Sequence, residues 1–242
     1  MSQFFGWSLI LFLILSNLTD AKTGELRMNQ YWTVPGFRML LDIFQCLQVL
    51  DVVFSALKFT NNSVITTLLQ VFSRVAMVIS VFPLLKPKDP KDGVCMGVFL
   101  CIMNWSMIEV IRFGFYAVKQ ASPSGDSALA KIFGHLRYNV FIFAYVLGVA
   151  GENIAVYHAV GELNALDLAG ARLPWTIRMP NKWNFVFDFK IFLMISPVFY
   201  LGGFPGLYIY MWRQRAKFYG GPSRDQKKAA DDHNAIKEKK RQ

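Results

Sequence analysis

Apolar residues in this chain gather into blocks long enough to cross a bilayer, and that excludes most soluble folds. Six blocks stand out, at about Phe4–Leu18, Phe37–Leu57, Val64–Leu85, Val94–Val118, Tyr138–Val160 and Trp183–Trp212. A helix needs roughly 20 apolar residues to cross the hydrocarbon core. A soluble helical bundle would need polar faces that these blocks lack. With 54% hydrophobic and only 17% charged residues, the composition also departs from that of soluble domains. The expected fold is therefore all-α, a polytopic membrane protein of about six transmembrane helices in one bundle. The first block is short and has no flanking Lys or Arg, so it reads as an uncleaved anchor rather than a signal peptide. No internal repeat is visible, which disfavours an inverted-repeat transporter.

Charge divides the chain in two. Of the net charge of +10, the segment Arg213–Gln242 contributes ten Lys/Arg against four Asp/Glu. Residues 1–212 are expected to form the membrane domain and 213–242 a basic, disordered cytosolic tail facing anionic headgroups. No basic, aromatic-bearing domain accompanies the tail, so no nucleic-acid partner is expected. An even number of spans puts both termini on one side. With that side cytosolic, its segments carry fourteen Lys/Arg and the opposite loops eight, mostly because of the tail. Lys239 and Lys240 stand fourth and third from the end, as in the cytosolic dilysine retrieval signal of endoplasmic reticulum membrane proteins. The glycosylation patterns at Asn17 and Asn61 are expected to go unused, the first hugging the membrane and the second being cytosolic.

Cys46, Cys95 and Cys101 are odd in number and lie in or beside apolar blocks, so they read as free packing residues. His135, His158 and His233 are isolated, and no metal is expected. A tyrosine phosphatase needs a Cys followed six residues later by Arg. Here those positions hold Val52, Cys101 and Met107, which excludes that chemistry.

The fifth block carries the sharpest chemical signal. Tyr145 and Glu152 are seven residues apart, almost two helical turns, and share a face with Gly148 between them. An ionisable residue inside a span is costly and points to function. A carboxylate and a phenol flanking a slot suit β-elimination of water and need no cofactor. The competing reading makes Tyr145 an interfacial aromatic and pairs Glu152 with Arg74 or Arg112. In the fourth block Trp105, Glu109, Arg112 and Tyr116 recur on one face. Glu109 and Arg112 form either an internal i,i+3 ion pair or a polar wall of the pocket. Arg38 and Asp42 are an i,i+4 pair, and Asp42 shares a face with Gln45 and, nearly, Gln48. Arg74 requires a carboxylate, for which Asp51 and Asp42 are the candidates. These groups read as glue between helices.

Together these motifs resemble the very-long-chain (3R)-3-hydroxyacyl-CoA dehydratase family, once called protein tyrosine phosphatase-like proteins. The resemblance runs over nearly the whole chain. It is carried by Phe44–Asp51, Thr66–Arg74, Trp105–Tyr116, Leu136-Arg137-Tyr138 with Tyr145-x-x-Gly148-x-x-Gly151-Glu152, and Gly203–Tyr208 with Gln214-Arg215. Val146 is a departure, standing where the family typically has Pro, so a less kinked helix is expected.

The resemblance implies the third step of fatty-acid elongation in the endoplasmic reticulum, with Tyr145 and Glu152 as the catalytic pair. Glu152 would take the C2 proton and Tyr145 assist departure of the C3 hydroxyl, the reverse assignment remaining open. Gly148, Arg112, Glu109, Tyr116, Asn139 and Arg137 are the substrate-binding candidates, Asn139 and Arg112 as oxyanion donors. Lys131, His135 and Arg137 lie at the mouth of the fifth span, either to meet CoA phosphates or as ordinary positive-inside residues. The expected partners are a long-chain 3-hydroxyacyl-CoA, membrane lipid and other elongation enzymes. Two competing classes are a non-catalytic scaffold of the elongation complex and a small transporter using Glu109, Arg112 and Glu152.

Overall fold

A computed structural model describes residues 2–59, 63–121, 127–182 and 184–220. The expected tail beyond 220 with its dilysine signal, Asn61, and the loop at 122–126 lie outside the described residues. Regular structure among the described residues is helical, apart from two isolated antiparallel bridges, Thr19–Leu26 and Ile177–Phe187. The helices are α1 (Ser2–Ser16), α2 (Gln30–Thr33), α3 (Phe37–Leu47), α4 (Val49–Ala56), α5 (Val64–Ala76), α6 (Gly93–Ala121), α7 (Ala128–Leu168) and α8 (Phe189–Tyr219). Among the described residues, five stretches are long and apolar enough to cross a membrane: Phe37–Ala56, Val64–Leu84, Gly93–Ala121, Ala128–Leu168 and Phe189–Tyr219. The sixth apolar helix, α1, has only 15 residues, or about 22 Å of rise. Large apolar side chains such as Leu201 and Val198 remain exposed at 77% and 61%, an exterior suited to lipid rather than water.

Local chemistry explains where the helices start, break and end. Ser127 and Asp188 cap α7 and α8, their side chains accepting from the Ala130 and Ile191 amides, each at 3.1 Å. At the far end of α7, Gly170 takes φ 67°. Its amide donates to the Asp167 carbonyl at 3.0 Å and the Ala171 amide to Leu166 at 2.9 Å, the paired bonds of a Schellman stop. With that stop beyond the expected Val160 boundary and a start at Ala128 rather than Tyr138, α7 reaches 41 residues. The second span is divided at Gln48, whose side chain accepts from Gln45 Nε2 at 2.9 Å inside the bundle. The third continues from α5 into a π-helical turn, Met77–Val81, and a 3-10 turn, Phe82–Leu84, where Pro83 has no amide to offer. In α8, Pro197 leaves the Leu193 carbonyl without its usual donor, and the Ser196 hydroxyl supplies one at 2.8 Å.

The spine is the α6–α7 pair. A Cβ on Gly151 would lie 2.9 Å from both the Gly97 carbonyl oxygen and the Cys101 nitrogen, and one on Gly97 would lie 3.0 Å from the Ala155 nitrogen. The two backbones therefore touch, the small-residue packing that membrane helices use in place of a hydrophobic driving force. α1 lays Trp7, Ile10 and Ile14 into the core that α6 lines, and α8 packs mainly along α7. The loop after α1 meets the loop before α6, Met28 donating to the Pro90 carbonyl at 3.2 Å. The starts of α6 and α3 thus share one end of the bundle with the end of α7. The ends of α6 and α8 share the other with the start of α7.

Candidate active site

Glu152 is buried on α7, and both its oxygens are held from neighbouring helices. Trp105 on α6 donates its indole N–H to Oε1 at 3.1 Å, and the Tyr200 hydroxyl on α8 donates to Oε2. The arginine whose charge reaches it, Arg74, is engaged elsewhere. Arg74 Nη1 lies 2.6 Å from Glu109 Oε1, which corrects the expected pairing with Asp51 or Asp42. Asp42 stays with Arg38 at 3.9 Å, and Asp51 pairs with Arg112 at 2.6 Å. Arg112 also reaches Glu109 Oε2 at 2.7 Å, so the i,i+3 pair forms within a larger chain. The physical reason is burial. Glu109 is 2% exposed on the face of α6 turned to α5, where a carboxylate needs more than one cation. The result is a neutral quartet, Arg74–Glu109–Arg112–Asp51, tying α5, α6 and α4. Trp105 links it to Glu152, with the Arg74 guanidinium 5.7 Å from its ring centroid and Phe82 stacked at 5.9 Å.

Tyr145 is half-buried on α7, edge-on to Phe141 at 6.3 Å, and the charges that reach it include Arg74, Glu109, Arg112 and Arg137. It precedes Glu152 by about 10 Å along the helix. Gly148 lies buried between them, and a Cβ there would meet only Asn104 Cβ, at 3.8 Å. Gly148 thus leaves space that Gly151 does not.

The remaining candidates lie apart from Glu152, Tyr116 toward the end of α6 and Arg137 and Asn139 in the first part of α7. Arg137 lies 5.0 Å over both Phe115 and Tyr116 and donates to the Tyr116 hydroxyl at 3.4 Å. Asn139 donates to the His135 carbonyl at 2.7 Å and to the Tyr219 hydroxyl at 2.6 Å, and its Oδ1 accepts from Arg215. Arg112, Glu109, Tyr145, Gly148 and Glu152 thus form an inner group, and Arg137, Tyr116 and Asn139 an outer one. Sequence reasoning missed Tyr200, Arg215 and Tyr219. All three sit on α8, and no spacing within one helix reveals what a second helix brings to it.

With this geometry in hand, comparison with known proteins is decisive at the level of family. The family model described as "Protein tyrosine phosphatase-like protein, PTPLA" matches residues 45–221, most of the chain. The chain belongs to this family. Among curated relatives, this chain is 32% identical over 225 residues to the very-long-chain (3R)-3-hydroxyacyl-CoA dehydratase hpo-8 of Caenorhabditis elegans. That match covers 92% of this chain and 93% of the relative. It is 33% identical over 181 residues to very-long-chain (3R)-3-hydroxyacyl-CoA dehydratase 1 of Mus musculus, covering 75% of this chain and 59% of the relative. It is 27% identical over 214 residues to the dehydratase PASTICCINO 2A of Oryza sativa subsp. japonica, covering 88% and 87%. No solved structure matches. The family's name does not describe a catalytic cysteine here, since Cys95 and Cys101 are buried and no Cys is followed six residues on by Arg.

Proposed function

We propose that this protein is a lyase that removes water from a long-chain (3R)-3-hydroxyacyl-CoA to give the trans-2-enoyl-CoA, as the names of its relatives indicate. The observation that carries the reading is Glu152, a buried carboxyl group aimed by Trp105 and Tyr200, while the arginine whose charge reaches it, Arg74, is paired with Glu109. The thioester acidifies the C2 hydrogen. Glu152 takes that proton, and the C2 electron pair forms the C2–C3 double bond and expels the C3 hydroxyl. Tyr145 gives the departing oxygen its proton, so one water leaves. The proton on Glu152 then restores the phenol. General acid–base assistance of this kind contributes about 10²–10⁴-fold. Through Arg74 against Trp105, the quartet fixes the α6 side of the site. No group in this scheme requires a cofactor.

In this reading residues 1–212 are the catalytic membrane domain and 213–242 a basic tail. The protein resides in the endoplasmic reticulum with both termini cytosolic, and works beside other enzymes of fatty-acid elongation. The test is dehydration of a long-chain (3R)-3-hydroxyacyl-CoA by purified protein in detergent, with product followed by mass spectrometry. Wild type is expected to turn over, and Glu152→Gln and Tyr145→Phe to fall by at least about 100-fold. Activity surviving both substitutions would move the chemistry elsewhere. A folded but inactive wild type would favour a scaffold.

A further inference from the structure

The end of the bundle where α7 begins carries charge that the dehydration chemistry leaves unused. Residues 113–121, 127–145 and 205–220 contain Lys119, Lys131, Arg137, Arg213, Arg215 and Lys217, and no Asp or Glu. Two of these cations are held in place. Arg215 donates from Nε and Nη2 to Asn139 Oδ1, at 3.2 and 3.1 Å, and its guanidinium lies 5.2 Å from the Trp212 centroid and 5.1 Å from that of Tyr219. Asn139 is fixed in turn by the His135 carbonyl and the Tyr219 hydroxyl. Arg137 rests on Phe115 and Tyr116 of α6. An arginine held this way has already lost rotamer freedom, and its remaining N–H groups are poised for a phosphate. Around the pair, Tyr116, Trp212 and Tyr219 are 40%, 40% and 45% exposed and offer stacking faces to a base.

We propose that this cluster is a nucleotide site that takes the adenosine 3′-phosphate 5′-diphosphate head of the acyl-CoA. Arg137 and Arg215 hold phosphates, and the aromatic rim receives adenine. The proposal rests on the dehydratase reading and adds where the non-reacting part of the substrate binds. The spacing along α7 agrees. Arg137 precedes Tyr145 by about 12 Å and Glu152 by about 22 Å of helix rise. That separation is of the order of an extended phosphopantetheine arm, so the head bound at the mouth delivers the thioester to the buried pair.

An anionic lipid headgroup presents the same phosphate chemistry, and the experiment separates the two. Adenosine 3′,5′-bisphosphate is titrated calorimetrically into the full-length protein in nanodiscs of phosphatidylcholine alone, and again with phosphatidylserine present. Wild type is expected to bind in the neutral discs. Arg137→Ala and Arg215→Ala each weaken binding about tenfold, the scale of a charge-assisted hydrogen bond. Arg215→Lys keeps the charge, loses the fork to Asn139, and recovers part of the affinity. In turnover, the KM advantage of the CoA thioester over the matching pantetheine thioester shrinks in the Ala variants by the same factor. Equal binding by wild type and variants overturns the proposal. So does nucleotide that fails to bind neutral discs while phosphatidylserine retention drops in the variants. Active enzyme with no nucleotide binding sinks this site and leaves the dehydratase reading standing, whereas nucleotide binding without dehydration does the reverse.

Discussion

Glu152 has an environment that its own helix does not supply. Seven-residue spacing on α7 made Tyr145 and Glu152 visible in the sequence, because one helix fixes the relative direction of its side chains. The donors that aim Glu152 come from α6 and α8, and their contribution is legible only once those helices are docked. Tyr200 lies three residues after Pro197 in a stretch of ordinary apolar residues, with nothing in its spacing to set it apart. Its hydroxyl donates to the carboxylate, and under the proposed mechanism it acts through Glu152 as a positioning residue. Tyr200→Phe is therefore expected to lower kcat about tenfold and leave KM nearly unchanged, since a hydrogen bond to a charged group contributes about 1.5–3 kcal/mol. The acidic limb of the kcat–pH profile, which reports the general base, should move with it, because the carboxylate loses a donor. Trp105→Phe should act in the same direction. An unchanged kcat and pH profile in Tyr200→Phe would reduce that contact to packing.

At the scale of elements, apolar block length placed the helices well and their ends poorly. The Schellman stop at Gly170 and the split at Gln48 are decisions of backbone hydrogen bonding, made within apolar or mildly polar sequence that gives block length no reason to stop. Arg74 shows the same limit in the site. A buried arginine announces that it needs a carboxylate, but which carboxylate depends on how α5, α6 and α4 rotate against one another. Glu109 wins because it faces α5 from inside the bundle, whereas Asp42 remains beside Arg38. Removing Glu109 leaves Arg74 and Arg112 sharing Asp51 alone, an excess positive charge in the interior. Glu109→Gln is expected to destabilise the protein by about 3–5 kcal/mol. The double variant Arg74→Gln/Glu109→Gln restores neutrality around Arg112–Asp51, and should unfold at a higher temperature in detergent than Glu109→Gln alone. Strictly additive losses across that cycle would show that the two charges do not communicate.

For the whole molecule, the proposed function depends on which end faces the acyl-CoA pool. Ile14 at the end of α1 lines a small cavity with Val98 and Phe99 near the start of α6, so α1 begins at the same end of the bundle as α7. The end of α8 and the Arg137–Arg215 cluster are there too. The opposite end holds residues 171–182 and 184–188, bridged through Ile177 and Phe187 and tied to α7 by Arg178–Asp167 at 3.5 Å. Loop charges in the sequence favoured one side only weakly, because both sets of loops carry Lys and Arg. The proposed head-group site adds a functional constraint: it would bring a polar, anionic CoA head to Glu152 along α7 from the Arg137 side. In sealed microsomes, a tag after Gln242 should therefore be cut by added protease. A glycosylation acceptor placed near Asn181 should be modified, and one placed at the C-terminus should not. The opposite pattern would open the Tyr145 mouth to the lumen, where the proposed head-group site would face away from cytosolic substrate. Both the orientation and the route to Glu152 would then have to be abandoned together.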